Sequence, residues 1–132
     1  MMKQLFFILF LFLLTTTTSA QSEKYADILF AEKSYDFGTF SEEKPVTHKF
    51  QFTNTGNAPL IIVQVKAGCG CTIVSFPKKP IKPGGKEDIK VVYNGRNKNL
   101  GFFSKTIDVS SNAKKGIVTL RITGNMTEKQ TK

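Results

Sequence analysis

The sequence predicts an all-β fold, an immunoglobulin-like β-sandwich of about seven strands. Apolar residues recur with period two in short runs, which is the pattern of half-buried strands. Clusters of Gly, Pro and Asn separate the runs at nearly even spacing. No stretch sustains the 3.6-residue apolar period that an amphipathic helix needs.

Ile28 to Ala31 and Tyr35 to Phe37 are short apolar stretches split by charged residues, which suits a first edge strand that breaks and rejoins its sheet, with Gly38 as the turn that ends it. From Val46 the alternation is regular. Val46, His48, Phe50 and Phe52 fall on one face, and Thr47, Lys49, Gln51 and Thr53 on the other. Asn54-Thr55-Gly56-Asn57 is turn chemistry. Leu60 to Val65 is apolar on both faces and rich in β-branched residues, as a central strand would be.

Gly68 to Gly70 interrupt the chain before a short strand from Thr72 to Phe76. Pro77, Pro80, Pro83, Gly84 and Gly85 then predict a long surface connection, because proline cannot continue a ladder. Asp88 to Tyr93 alternates with Ile89, Val91 and Tyr93 inward, and Asn94-Gly95 predicts a turn. Leu100 to Ser110 places Phe103, Ile107 and Val109 in phase, and Ile117 to Gly124 does the same for Val118, Leu120 and Ile122. Met126 to Lys132 reads as a polar tail.

Residues 1–20 have the grammar of a secretory signal: Lys3, an apolar run from Leu5 to Leu14, then Thr18-Ser19-Ala20 ahead of an expected cut before Gln21. The run is about half the roughly 20 residues a membrane span requires, so no stable span is expected after cleavage. Gln21 stands where a lipoprotein would carry its cysteine, so no lipobox is present. Removing 20 of the 132 residues leaves 112, enough for one domain over 21–132 with a core at about 27–125. A periplasmic or secreted location follows.

The chain carries a net charge of +9, with 19 basic residues of which only Arg96 and Arg121 are arginines. Specific phosphate recognition favours the bidentate guanidinium fork. The dispersed lysines read as solvated loops and strand edges guarded against aggregation, so nucleic acid is not an expected partner. No Ser-His-Asp arrangement can be argued from one histidine, and no glycine-rich phosphate loop precedes a helix, so no enzyme activity and no catalytic residue is expected.

Gly68-Cys69-Gly70-Cys71-Thr72 is the segment with chemistry to offer. In a regular strand the two cysteine Cα atoms would lie about 6.6 Å apart with parallel Cβ vectors, a geometry that resists a disulfide. The flanking glycines permit a kink that brings the sulfurs together. Three states stay open: a local or redox-active disulfide, two inert thiols, and a copper or zinc site on two thiolates with His48 as a weak third ligand.

Tyr35-Asp36-Phe37-Gly38, Phe52-Thr53-Asn54-Thr55-Gly56-Asn57-Ala58-Pro59-Leu60, Gly68-Cys69-Gly70-Cys71-Thr72, Pro83-Gly84-Gly85 and Ile122-Thr123-Gly124-Asn125 together resemble the bacterial family named domain of unknown function fifteen seventy-three, common in Bacteroidetes and similar to Hydin-like immunoglobulin domains. The combination of an F-x-N-x-G motif with the CxC motif carries the resemblance, which covers nearly all of the mature chain. It implies an extracytoplasmic immunoglobulin-like fold and no particular reaction. Relatives that carry a lipobox or repeat the domain differ from this chain, which favours a soluble role.

The leading expectation is a non-enzymatic binding or structural module of the cell envelope, meeting a protein partner through a sheet edge or loop end and needing no cofactor. A metal or thiol redox role of Cys69 and Cys71 is the alternative. A polyanion partner is supported by net charge alone.

Overall fold

The computed structural model describes residues 18–130; residues 1–17, which hold most of the expected leader, and residues 131–132 of the tail lie outside it. Eight strands follow in chain order: β1 (Ile28–Phe30), β2 (Ser34–Ser41), β3 (Val46–Asn54), β4 (Ile62–Ala67), β5 (Thr72–Ser75), β6 (Lys86–Tyr93), β7 (Gly101–Ser111) and β8 (Ile117–Thr127). They form two sheets with strand orders β1-β3-β6-β5 and β2-β8-β7-β4. Among the described strands, β2 against β8 is the one parallel pair. The fold is the predicted all-β sandwich, and the described residues contain no helix.

The alternation read from the sequence produces the core. Phe50, Phe52, Ile89 and Val91 project from one sheet, and Ile107, Val109, Leu120 and Ile122 from the other, all of them buried. Each such side chain contributes about 1.5–3 kcal/mol by leaving water.

The expected first edge strand is two strands in different sheets. β1 pairs antiparallel with the end of β3, and the chain then crosses at residues 31–33 so that β2 can pair with β8. The eighth strand comes from this crossing. Gly38 is not a terminal turn but a bulge within β2: its φ of 68° suits glycine, its amide donates to Asp36 Oδ1 at 2.9 Å, and the register against β8 shifts between Asp36 and Thr39.

Three further expectations are corrected. β4 is an edge strand and not a central one; Leu60, Ile62 and Val65 face the core while Ile61 and Val63 stay exposed, and an apolar run alone does not distinguish these cases. The turn after β6 closes through the Lys98 amide donating to the Gly95 carbonyl at 2.9 Å, with Asn97 left-handed at φ 63°, so its central pair is Arg96-Asn97, two residues later than Asn94-Gly95. Met126 belongs to β8 and is buried, not part of the tail.

The F-x-N-x-G motif closes one end of the sandwich. Asn54 has no exposed surface, and its carboxamide is fully engaged. Nδ2 donates to the carbonyls of Ala58 at 2.8 Å and Ile81 at 2.9 Å. Oδ1 accepts from the amides of Gly56 at 3.0 Å and Asp27 at 3.5 Å. The Asn54 main chain is held by the Pro83-Gly84-Gly85 turn, accepting from Gly84 at 2.8 Å and donating to Gly85 at 2.9 Å. One residue thereby joins the start of β1, the end of β3 and the loops before β4 and β6. Gly56 is required by close approach: a Cβ there would lie 2.4 Å from the Tyr25 carbonyl oxygen.

Truncation to Asn54→Ala leaves several buried groups without their partner, so urea unfolding is expected to show a loss of about 2–4 kcal/mol. Asn54→Asp keeps the shape but points an acceptor at two carbonyls. Its deficit relative to wild type is expected to be larger at pH 7 than at pH 4, where a protonated carboxyl can donate once. Wild-type stability in the alanine variant contradicts this account of the motif.

Candidate functional site

At the opposite end, residues 68–71 carry the chain from the edge of one sheet to the edge of the other. β4 is paired with β7 as far as Ala67 opposite Ile107. One more bond follows, from the Gly68 amide to the Thr106 carbonyl at 3.2 Å. The chain then turns, with the Thr72 amide donating to the Cys69 carbonyl at 3.1 Å, and enters β5 with Thr72 opposite Tyr93.

Cys69 and Cys71 form a disulfide within this turn. Their Cα atoms are 5.2 Å apart, closer than a regular strand allows, because the cysteines occupy a turn between strands. Of the three states left open by the sequence, the structure contains the local disulfide. Cys69 is half-buried, whereas Cys71 is only 6% exposed and belongs to the core. The Cys71 amide donates to Cys69 Sγ at 3.2 Å, and the Cys71 carbonyl accepts from the Asn94 amide at 2.9 Å, tying the turn to the loop after β6.

The early departure of β4 leaves an open cleft of about 350 Å³ along the first half of β7. Cys69, Cys71, Lys98, Leu100, Phe102 and Lys105 line it, and Tyr93 and Phe103 form its aromatic base. The two rings stack with centroids 4.1 Å apart, and Phe40 of β2 meets both edge-on. Burial raises the Tyr93 hydroxyl pKa above its ordinary value of 10.0. Phe102 is 74% exposed and Leu100 44% exposed, and large apolar side chains left in water beside a concavity mark a contact surface more often than chance.

The main chain of β7 is also free there. In an antiparallel strand the N–H and C=O of one residue point to the same side, and the side alternates along the chain. The Thr106 carbonyl faces β4, so those of Ser104 and Phe102 face the cleft. Among the described residues neither has a main-chain partner on that side. Sequence reasoning singled out Cys69 and Cys71 but missed Phe102, Ser104, Lys98 and Lys105. The available signal was the length of the strand from Leu100 to Ser110, which exceeds that of the strand preceding Gly68.

The structure does not bring His48 to the cysteines. His48 Nε2 lies 2.5 Å from Glu32 Oε1, its ring stacks on Tyr35 with centroids 3.6 Å apart, and it meets Phe50 edge-on. It packs the crossing segment between β1 and β2. Among the described residues no group of three or more His, Cys, Asp or Glu is placed to hold a metal ion.

A ring closed over so few residues removes little chain entropy, about 1–2 kcal/mol against about 4–5 for a loop of 100 residues. The Cys69→Ser, Cys71→Ser double variant is therefore expected to lose no more than about 2 kcal/mol in chemical denaturation; a greater loss would show that the bond staples the fold. The Tyr93 hydroxyl supplies a second check. Its folded pKa lies above its unfolded value, so its contribution is complete below pH 10 and is lost as pH rises through the folded pKa. Tyr93→Phe is expected to decline less steeply than wild type above pH 10 in thermal unfolding, and parallel curves count against a buried hydroxyl.

A family model described as Protein of unknown function (DUF1573) matches residues 28–126. No curated protein matches the chain by sequence. Among solved structures the fold is similar to a protein of unknown function from Porphyromonas gingivalis W83, with 12% identity and a TM-score of 0.68 over 83% of this chain and 51% of that one. This chain thus spans about half the length of that protein. The ASH/PapD-like domain 7 of human CEP192 is similar at 11% identity and a TM-score of 0.66, over 85% of this chain and 93% of that one. A chain of the CsuC–CsuE chaperone–tip adhesion subunit pre-assembly complex of Acinetobacter baumannii matches at 15% identity and a TM-score of 0.54, over 77% of this chain and 58% of that one. At these identities the likeness is one of fold: an immunoglobulin-like, PapD-like sandwich.

Proposed function

The chain belongs to the DUF1573 family of proteins of unknown function, and with that as premise we propose that it is an exported, non-enzymatic module that receives an extended, acidic segment of a protein partner as an added strand on the free edge of β7. The observation that carries this reading is the pair of unpartnered main-chain positions, Phe102 and Ser104, in a cleft that β4 vacates. An incoming strand continues the line of β4, bonds to these groups and covers the exposed side chains of Phe102 and Leu100. Lys98 and Lys105 on the cleft walls favour acidic residues in that segment. Export rests on the leader grammar before Gln21.

The two outer edges nearest the cleft, those of β4 and β5, are blunted. β4 has a register shift between Ile62 and Gln64 and carries Lys66, while β5 has only four residues before Phe76 and Pro77. Bulges, charges and short length each discourage pairing. PapD-like architecture in a chaperone–subunit pre-assembly complex accords with protein binding without naming a partner.

A peptide of about eight residues, the length of an ordinary strand, with alternating acidic and apolar side chains tests the reading. Binding is expected to protect the Phe102 and Ser104 amides from hydrogen exchange and to weaken as salt is raised. Ser104→Pro removes one donor from a side of β7 that β8 does not use, so it is expected to abolish binding and cost about 1 kcal/mol or less of stability. Phe102→Ala is expected to weaken binding while changing stability by about 0.5 kcal/mol or less. Protection appearing on β4 or β5 instead, or nowhere, overturns the assignment.

A further inference from the structure

The two cysteines of the corner are not equivalent: both line the cleft, but Cys69 is half-buried and Cys71 only 6% exposed. We propose that the Cys69–Cys71 disulfide accepts a thiol carried by the segment that enters the cleft, capturing a cysteine-containing protein partner covalently at Cys69; this rests on the reading of the cleft as a strand-addition site.

The partner thiolate attacks Cys69 Sγ. The Cys69–Cys71 bond breaks, the electron pair leaves on Cys71 Sγ, which takes a proton from solvent, and the product is a mixed disulfide between Cys69 and the partner. A second thiol on the same partner then attacks the partner's own sulfur in the mixed disulfide and releases Cys69. The partner is oxidised from dithiol to disulfide, and this pair is reduced by the same two electrons.

Accessibility determines the direction of attack. Both cysteines line the cleft, but Cys69 is half-buried and Cys71 only 6% exposed, so attack reaches Cys69 first. In the reduced pair the Cys71 amide, 3.2 Å from Cys69 Sγ in the disulfide, is placed to donate to a Cys69 thiolate, which makes Cys69 the sulfur that attacks an incoming disulfide. Lys98 and Lys105 bring positive charge to the same cleft, which attracts an attacking thiolate and favours Cys69 as the nucleophile once the pair is reduced. The Thr72 hydroxyl, 3.9 Å from Cys71 Sγ, stands beside the leaving sulfur. The small entropic contribution of so short a ring also means that the fold can tolerate its opening.

The test compares reduced Cys71→Ser and Cys69→Ser proteins mixed with glutathione disulfide at neutral pH, with adduct formation followed by intact mass. Cys71→Ser, which leaves Cys69 free, is expected to take up one glutathione about tenfold or more faster than Cys69→Ser. Equal rates, or the opposite order, overturn the proposal. Oxidised wild type treated with reduced glutathione and quenched with N-ethylmaleimide needs no variant to fold. Peptide mapping is expected to place glutathione on Cys69 and maleimide on Cys71, and a reversed pattern or an unmodified pair overturns it.

Ser104→Pro keeps the two readings apart, since glutathione is too short to need the β7 edge. If the asymmetry fails while the acidic peptide still binds wild type and not Ser104→Pro, thiol capture is lost and strand addition stands. If the asymmetry holds while no peptide protects Phe102 or Ser104, strand addition is lost, and with it the extended segment as carrier of the thiol.

Discussion

Four residues must take the chain from one sheet to the other between Ala67 and Thr72, and that constraint shapes the functional end of the molecule. Packed sheets lie about 10 Å apart, which four residues can span only by leaving the first sheet directly. β4 therefore stops opposite Ile107, while β7 begins six residues earlier at Gly101. The mismatch leaves main-chain groups of Phe102 and Ser104 without a neighbour and puts the disulfide on the wall of the gap. The Asn94 amide holds Cys71 against the next loop.

The two ends of the sandwich are built by opposite means. At one end Asn54, at the end of β3, spends its hydrogen-bonding capacity on three other segments, and the surrounding loops are pinned to a buried carboxamide. At the other end the aromatic base of Tyr93, Phe103 and Phe40 supplies rigidity without consuming main-chain donors. A rigid floor with unspent hydrogen-bonding groups above it is a ready surface for an extended chain, because little further ordering accompanies binding.

The crossing of the first strand completes the frame. β1 covers part of the outer edge of β3, and β2 pairs with β8 to become the outer strand of its sheet, broken by the bulge at Gly38. His48, stacked on Tyr35 and bonded to Glu32, packs the crossing. On the side of β4, β5 and β7, the bulge in β4 and the shortness of β5 leave the first half of β7 as the accessible stretch.

Local patterning in the sequence was enough to determine the sandwich. Phe50, Phe52, Ile89, Val91, Ile107, Val109, Leu120 and Ile122 face inward because period two admits only one register that buries them. The cysteine pair was legible as chemistry because its spacing conflicts with a regular strand. Which sheet each strand joins was decided by tertiary structure alone, as the two halves of the first strand and the edge position of β4 show: an apolar run looks the same whether a neighbour lies on one side or both. The cleft belongs to the same class. Phe102, Ser104, Lys98 and Lys105 carry no motif, and their juxtaposition with Cys69 arises from the unequal lengths of two strands that meet only once the sheets have paired.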